Sequence, residues 1–270
     1  APDSAARYEA LAADLLENEP ITVEIQVGPD EFEQFPFFYG DLIGFTLGSM
    51  YDSGSWFFFA MDLAAIEAAA AGASAAFSPN FTVGDGSLGY TAKRGFPRYF
   101  NDVEGFPAVA CADSDDPKDA MAWFDAAGPI SFDNYFSQIW TYASTPCRSF
   151  PVDGVDRYAG PWNAETANPV LVASTLYDPA TPVHGAFAAD ALLPNSGLLL
   201  VDGWGHTTLG ISGCASFFSE RYLITQQLPP PPSELICPQD FNPFELFAGP
   251  GGSGGLETQR LEARARFFGG

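Results

Sequence analysis

Two short, unbroken apolar runs stand on either side of one helix-length segment. The first is Pro169-Val-Leu-Val-Ala-Ser-Thr-Leu-Tyr177, and the second is Gly197-Leu-Leu-Leu-Val201. Runs of this length predict strands buried on both faces, and the segment between them predicts a crossover helix in a parallel sheet. Upstream, Ser4 to Asn18 places Ala, Leu and Glu at helical spacing, with Ser4 as N-cap and Pro20 as the stop. Ile21 to Val27 alternates as a strand, Gly28-Pro-Asp30 turns the chain, and Asp30-Glu-Phe-Glu33 reads as an acidic loop. Phe37 to Tyr51 and Trp56 to Ala71 predict helices, whereas Gly72 to Pro107 has little period. Pro107-Ala-Val-Ala-Cys111-Ala-Asp113 predicts a short buried strand, followed by helices over 117–127 and 131–143. A further helix is expected over 211–227, stopped by Pro229 to Pro232. The expected fold class is α/β. A mostly helical cap over 1–106 precedes an α/β core over 107–247, and a flexible tail follows over 248–270.

Composition narrows the function classes. With 11 Lys and Arg against 34 Asp and Glu, the formal charge is −23. Such a surface repels phosphate backbones and anionic lipid, so neither nucleic acid nor membrane is an expected partner. No apolar run reaches the 18 residues a membrane span needs. Four cysteines, Cys111, Cys147, Cys214 and Cys237, form no C-x-x-C pair, which favours two disulfides in an oxidising compartment over a zinc site. Asn80-Phe-Thr82 is a glycosylation sequon, in keeping with a secreted protein. The only two histidines, His184 and His206, lie 22 residues apart with no ligand cluster around them, so no metal or cofactor is expected.

The chemistry gathers at the ends of the two apolar runs. Asp178 follows the first, and His206 follows the second within Gly203-Trp-Gly-His206. Functional residues in open α/β sheets collect at the carboxyl ends of strands. An acid and a histidine on neighbouring strand ends suit a nucleophile–His–acid triad, in which the acid sets the tautomer and the histidine moves the proton. Taken singly, Asp178 could as well cap the following helix, and His206 could be a turn histidine bonded to backbone. His184 reads as a solvated residue in the first turn after Pro182. The Asp30–Glu33 acids could receive a substrate ammonium but read first as a solvated loop. No Gly-x-Ser-x-Gly elbow occurs. Asp85-Gly-Ser87-Leu-Gly89 has Asp in place of the first glycine, and Gly210-Ile-Ser212-Gly-Cys214 lacks the closing one. Neither serine is expected to be a nucleophile.

Tyr177-Asp178-Pro-Ala-Thr-Pro182, the Gly-Trp-Gly-His206 turn and the Cys214…Tyr222-Leu223…Pro229…Cys237 tail resemble the C-terminal region of secreted tripeptidyl-aminopeptidase-like α/β-hydrolases. These are relatives of the prolyl aminopeptidases. The likeness runs over about Pro107 to Phe244, and more loosely through Leu42 to Ala71. It implies a serine peptidase acting on peptides with a free N-terminus, or a related esterase or amidase. It also implies Asp178 as acid, His206 as base, and the pairings Cys214–Cys237 and Cys111–Cys147. The family's N-terminal half carries the first strands, the oxyanion loop and the serine elbow, and these residues contain none of them. The expectation is a chain that supplies acid and base, is inactive alone, and works with an N-terminal hydrolase half of the same precursor. A fragment, a processed two-chain enzyme, a shortened version and a catalytically dead binding protein all fit that pattern.

Overall fold

The computed structural model describes residues 3–18, 20–28, 31–73, 76–77, 102–129, 135–151 and 154–244. The chain forms two compact units, residues 1–47 with 62–159, and residues 48–61 with 160–270.

In the first unit, α1 (Ser4–Glu17) buries Leu11, Ala12 and Leu15, the spacing of a single helical face. Its N-cap is Asp3 rather than Ser4, with no side-chain capping bond. Strand β1 (Ile21–Gly28) pairs antiparallel with β2 (Glu31–Phe37) and parallel with the two-residue β3 (Ala76–Phe77). The acidic loop expected at residues 30–33 is thus corrected, because Glu31, Phe32 and Glu33 belong to β2. Backbone pairing with β1, in register from Ile21 opposite Phe37, decides this where the acidic composition misleads. Strand β2 is an edge, and the edge position tolerates Pro36, which has no N–H to give to a neighbour.

Helices α2 (Tyr39–Tyr51) and α3 (Trp56–Ala70) lie where the pattern places them. Residues 107–113 do not form the expected strand. They belong to α4 (Asp102–Asp113), with Pro107 inside it. A short apolar run has no period to separate strand from helix, and Ala108, Ala110 and Ala112 favour the helix strongly enough to absorb the hydrogen bond that Pro107 forfeits. α5 (Ala120–Ala127) starts at Asp119, whose carboxylate accepts the Met121 N–H. α6 (Ser137–Tyr142) is shorter than expected. The Cys111–Cys147 disulfide joins α4 to the short 3-10 turn at Thr145–Ser149.

In the second unit, β4 (Val170–Tyr177), β5 (Ser196–Trp204) and β6 (Cys237–Pro238) form a parallel sheet in that order. α7 (Val183–Leu192) is the crossover between β4 and β5, so the strand–helix–strand reading holds. α8 (Gly213–Thr225) starts at Ser212, whose Oγ accepts the Ala215 N–H at 3.2 Å. Leu199, Val201, Ala215 and Cys237 form the buried centre, with Leu171, Ile211, Phe218 and Leu235 packed around it. Each fully buried Leu or Val contributes about 1.5–3 kcal/mol. The Cys214–Cys237 disulfide ties α8 to β6, a strand of only two residues. Among the described residues no helix is long and apolar enough to cross a membrane.

Candidate active site at the strand ends

Strand β4 ends at Tyr177 and β5 at Trp204, and these two residues pair just beyond a register shift that follows Thr175. The loops that follow bring Asp178 and His206 together. Nδ1 of His206 lies 3.0 Å from both oxygens of the Asp178 carboxylate. The Asp178 side chain is 1% exposed and that of His206 is 32% exposed, so the acid is enclosed and the imidazole meets solvent on one side.

The carboxylate is saturated with donors. Oδ1 accepts the N–H of Ala180 at 2.8 Å and of Thr181 at 2.7 Å, while Oδ2 accepts the Thr181 hydroxyl at 3.0 Å and the Thr207 N–H at 3.1 Å. Burial alone would raise the Asp178 pKa. The N–H groups of Thr181, Thr207 and Ala180, with the His206 ring, outweigh it and hold the pKa below the ordinary carboxylate value. An ionised carboxylate can only accept, so Nδ1 carries a proton, and in the neutral imidazole Nε2 is then the acceptor. That is the tautomer a general base requires. Asp178 therefore binds the backbone of the following turn and the imidazole at once, and the capping and triad readings of this residue are compatible. The N-cap of α7 itself is Pro182.

The histidine turn is strained and braced. Gly205 has φ +112°, and a Cβ there would come 3.0 Å from the Tyr51 carbonyl oxygen. Thr207 has φ 71°, a region a β-branched residue seldom enters. Three contacts hold the turn in this shape. The Thr175 hydroxyl donates to the Gly205 carbonyl at 2.7 Å, and the His206 N–H donates to the Tyr51 carbonyl at 2.8 Å. The Tyr51 ring packs against the imidazole with centroids 5.2 Å apart and planes at 70°. Behind them, Gln239 accepts the Trp204 N–H through Oε1 at 2.9 Å and donates through Nε2 to the Ser53 hydroxyl at 3.0 Å. Sequence reasoning singled out none of Tyr51, Ser53, Thr175 and Gln239. The glycines on either side of Trp204 signal a close approach, but nothing local names a partner such as Ser53, 186 positions from Gln239.

Other sequence candidates fall elsewhere. His184 is exposed on α7 and takes no part in the Asp178 hydrogen bonds. Glu31 and Glu33 are exposed on β2. Ser212 is buried and caps α8. Asp30, Asn80, Ser87 and the tail from 248 lie outside the described residues.

Parallel strands, a crossover helix, and an acid and histidine at the carboxyl ends make this second unit the C-terminal part of an α/β-hydrolase fold. Residues 133–235 match the model of the family described as TAP-like protein, within the α/β-hydrolases. The matched stretch is similar to a tripeptidyl-aminopeptidase-like hydrolase region, and it contains Asp178, His206, Cys147 and Cys214. No curated protein matches the chain.

Proposed function

We propose that this chain supplies the acid, Asp178, and the base, His206, of a Ser-His-Asp triad in a secreted serine exopeptidase. Its substrates are peptides with a free N-terminus, from which it releases short peptides. The observation that carries the reading is the 3.0 Å hydrogen bond from His206 Nδ1 to a buried, ionised Asp178, which leaves Nε2 as the acceptor. Nε2 takes the proton of a serine as it attacks the peptide carbonyl, then gives it to the leaving amine. Asp178 stabilises the imidazolium between those steps. The serine comes from a hydrolase half of the same precursor, outside the sequence described here. Two disulfides and the acidic surface accord with a secreted protein.

A second reading is a catalytically inactive hydrolase-fold binding protein that keeps the Asp178–His206 pair as part of its fold. Mass spectrometry of the native protein under reducing and non-reducing conditions separates the two. A longer precursor or a second chain bearing the elbow is expected. In that assembly His206→Ala should lower peptide release at least about ten-thousand-fold. A native protein of this chain alone, with no cleavage of free or blocked peptides, leaves the binding reading. Cleavage of acyl esters regardless of a blocked amine makes the protein an esterase of the same fold.

A further inference from the structure

The residues that close β4 and β5 carry more than backbone to the site. Tyr177 and Trp204, paired beyond the register shift at the strand ends, stack with planes at 17° and centroids 5.9 Å apart. Trp56 lies 6.1 Å from Trp204 and 5.9 Å from Phe244, which extends the same cluster. These rings are not core. Tyr177 is 57%, Phe244 54% and Trp204 40% exposed. Aromatic surface left in water at this density is unfavourable without an occupant.

The cluster is also held in place. The Trp56 indole N–H donates to the Ser49 carbonyl at 2.9 Å, and the Trp204 backbone is fixed by Gln239. A rigid aromatic surface loses little entropy when it receives a ligand. Its position is specific, because Tyr177 directly precedes Asp178 and Trp204 stands two residues before His206. All four sit at the carboxyl edge of the parallel sheet, where such folds bind their ligands. The strongly acidic chain discourages an anion, and aromatic faces favour apolar or aromatic groups.

We propose that the ledge formed by Tyr177, Trp204 and Trp56 is the subsite that receives a large apolar or aromatic side chain of the peptide substrate. It gives the enzyme a preference for Phe, Tyr or Leu beside the bond it cleaves. This inference rests on the peptidase reading for its substrate, and its test is built to fail separately. The 270-residue chain is titrated with N-acetyl-L-phenylalaninamide, N-acetyl-L-alaninamide and N-acetyl-L-lysinamide, with the tryptophan indole N–H resonances followed by NMR. The phenylalanine probe should shift the Trp204 and Trp56 signals and bind about tenfold or more tightly than the alanine probe, the increment expected for burying a phenyl group. Tyr177→Ala and Trp204→Leu should each weaken that preference, with folding checked by circular dichroism. The second variant keeps apolar bulk but removes the stacking plane.

Equal binding of the phenylalanine and alanine probes, tighter binding of the lysine probe, or a preference untouched by both substitutions would overturn the ledge. Peptide release by the complete native enzyme with an aromatic preference that survives Trp204→Leu would overturn it as well, while keeping the peptidase. Selective binding of the phenylalanine probe without peptide release by that native protein keeps the ledge as an apolar-peptide site and removes the peptidase.

Discussion

At the scale of single residues, two carboxyl groups respond to burial in opposite ways. Asp178 accepts three hydrogen bonds from the following turn, one from the Thr207 N–H and one from the imidazole, and its pKa is lowered in the folded state. Its contribution to stability is complete above the ordinary value of 3.8 and is lost as pH falls through the lower folded value. Asp178→Asn should remove that acid-limb dependence in denaturant titrations. At pH 7 it should cost about 2–3 kcal/mol, since an amide cannot satisfy the same converging N–H groups. Asp62, buried on α3, is pushed up to about 7 by burial. Its folded form holds a proton that the unfolded chain releases near pH 3.8, so it erodes stability between those values and fully above 7. Asp62→Asn should leave stability near pH 4 almost unchanged and raise it at pH 8 by an amount on the order of a few kcal/mol. Loss of stability at pH 8 in that variant would contradict the assignment. Tyr51 acts on the imidazole through packing and a carbonyl. Tyr51→Phe should keep the far-downfield Nδ1–H proton resonance of His206, and Tyr51→Leu should broaden or erase it.

At the scale of elements, the site depends on a strand too short to hold itself. β6 contributes two residues, yet Gln239 just beyond it braces both Trp204 and Ser53. The Cys214–Cys237 bridge closes a loop with a sequence separation of 23 and fastens β6 to α8. Loop-closure entropy gives it about 3 kcal/mol. Replacing both cysteines by Ser should lower stability by roughly that amount. It should also broaden the Trp204 and His206 resonances, because the brace loses its anchor. An unchanged unfolding midpoint would show that the core around Leu199 and Val201 holds β6 without the bridge.

At the scale of the whole molecule, 34 acidic against 11 basic residues leave a formal charge of −23. Self-repulsion of that size opposes compaction and is screened by salt, as the Debye length falls from about 30 Å at 0.01 M to about 8 Å at 0.15 M. The thermal midpoint at neutral pH should therefore rise with sodium chloride across this range. A flat or falling midpoint would mean that local ion pairs such as Arg7 with Glu67 outweigh the global repulsion.

How much was legible depends on the distance over which each feature is decided. The strand–helix–strand over 170–204 and the turns bearing Asp178 and His206 are written locally, in unbroken apolar runs and in Asp, Gly and Pro at their ends. The sequence therefore determined the class of fold and the two residues that meet. It misjudged residues 31–33 and 107–113, where a cross-strand partner or a run of alanines outweighs local appearance. The tertiary structure alone decided that Nδ1 faces the carboxylate and that Tyr51, Thr175 and Gln239 hold the turn. It also decided that Tyr177 and Trp204 stack beside the pair. Those relations join residues far apart in the chain, and only backbone pairing and packing bring them within hydrogen-bonding or van der Waals reach.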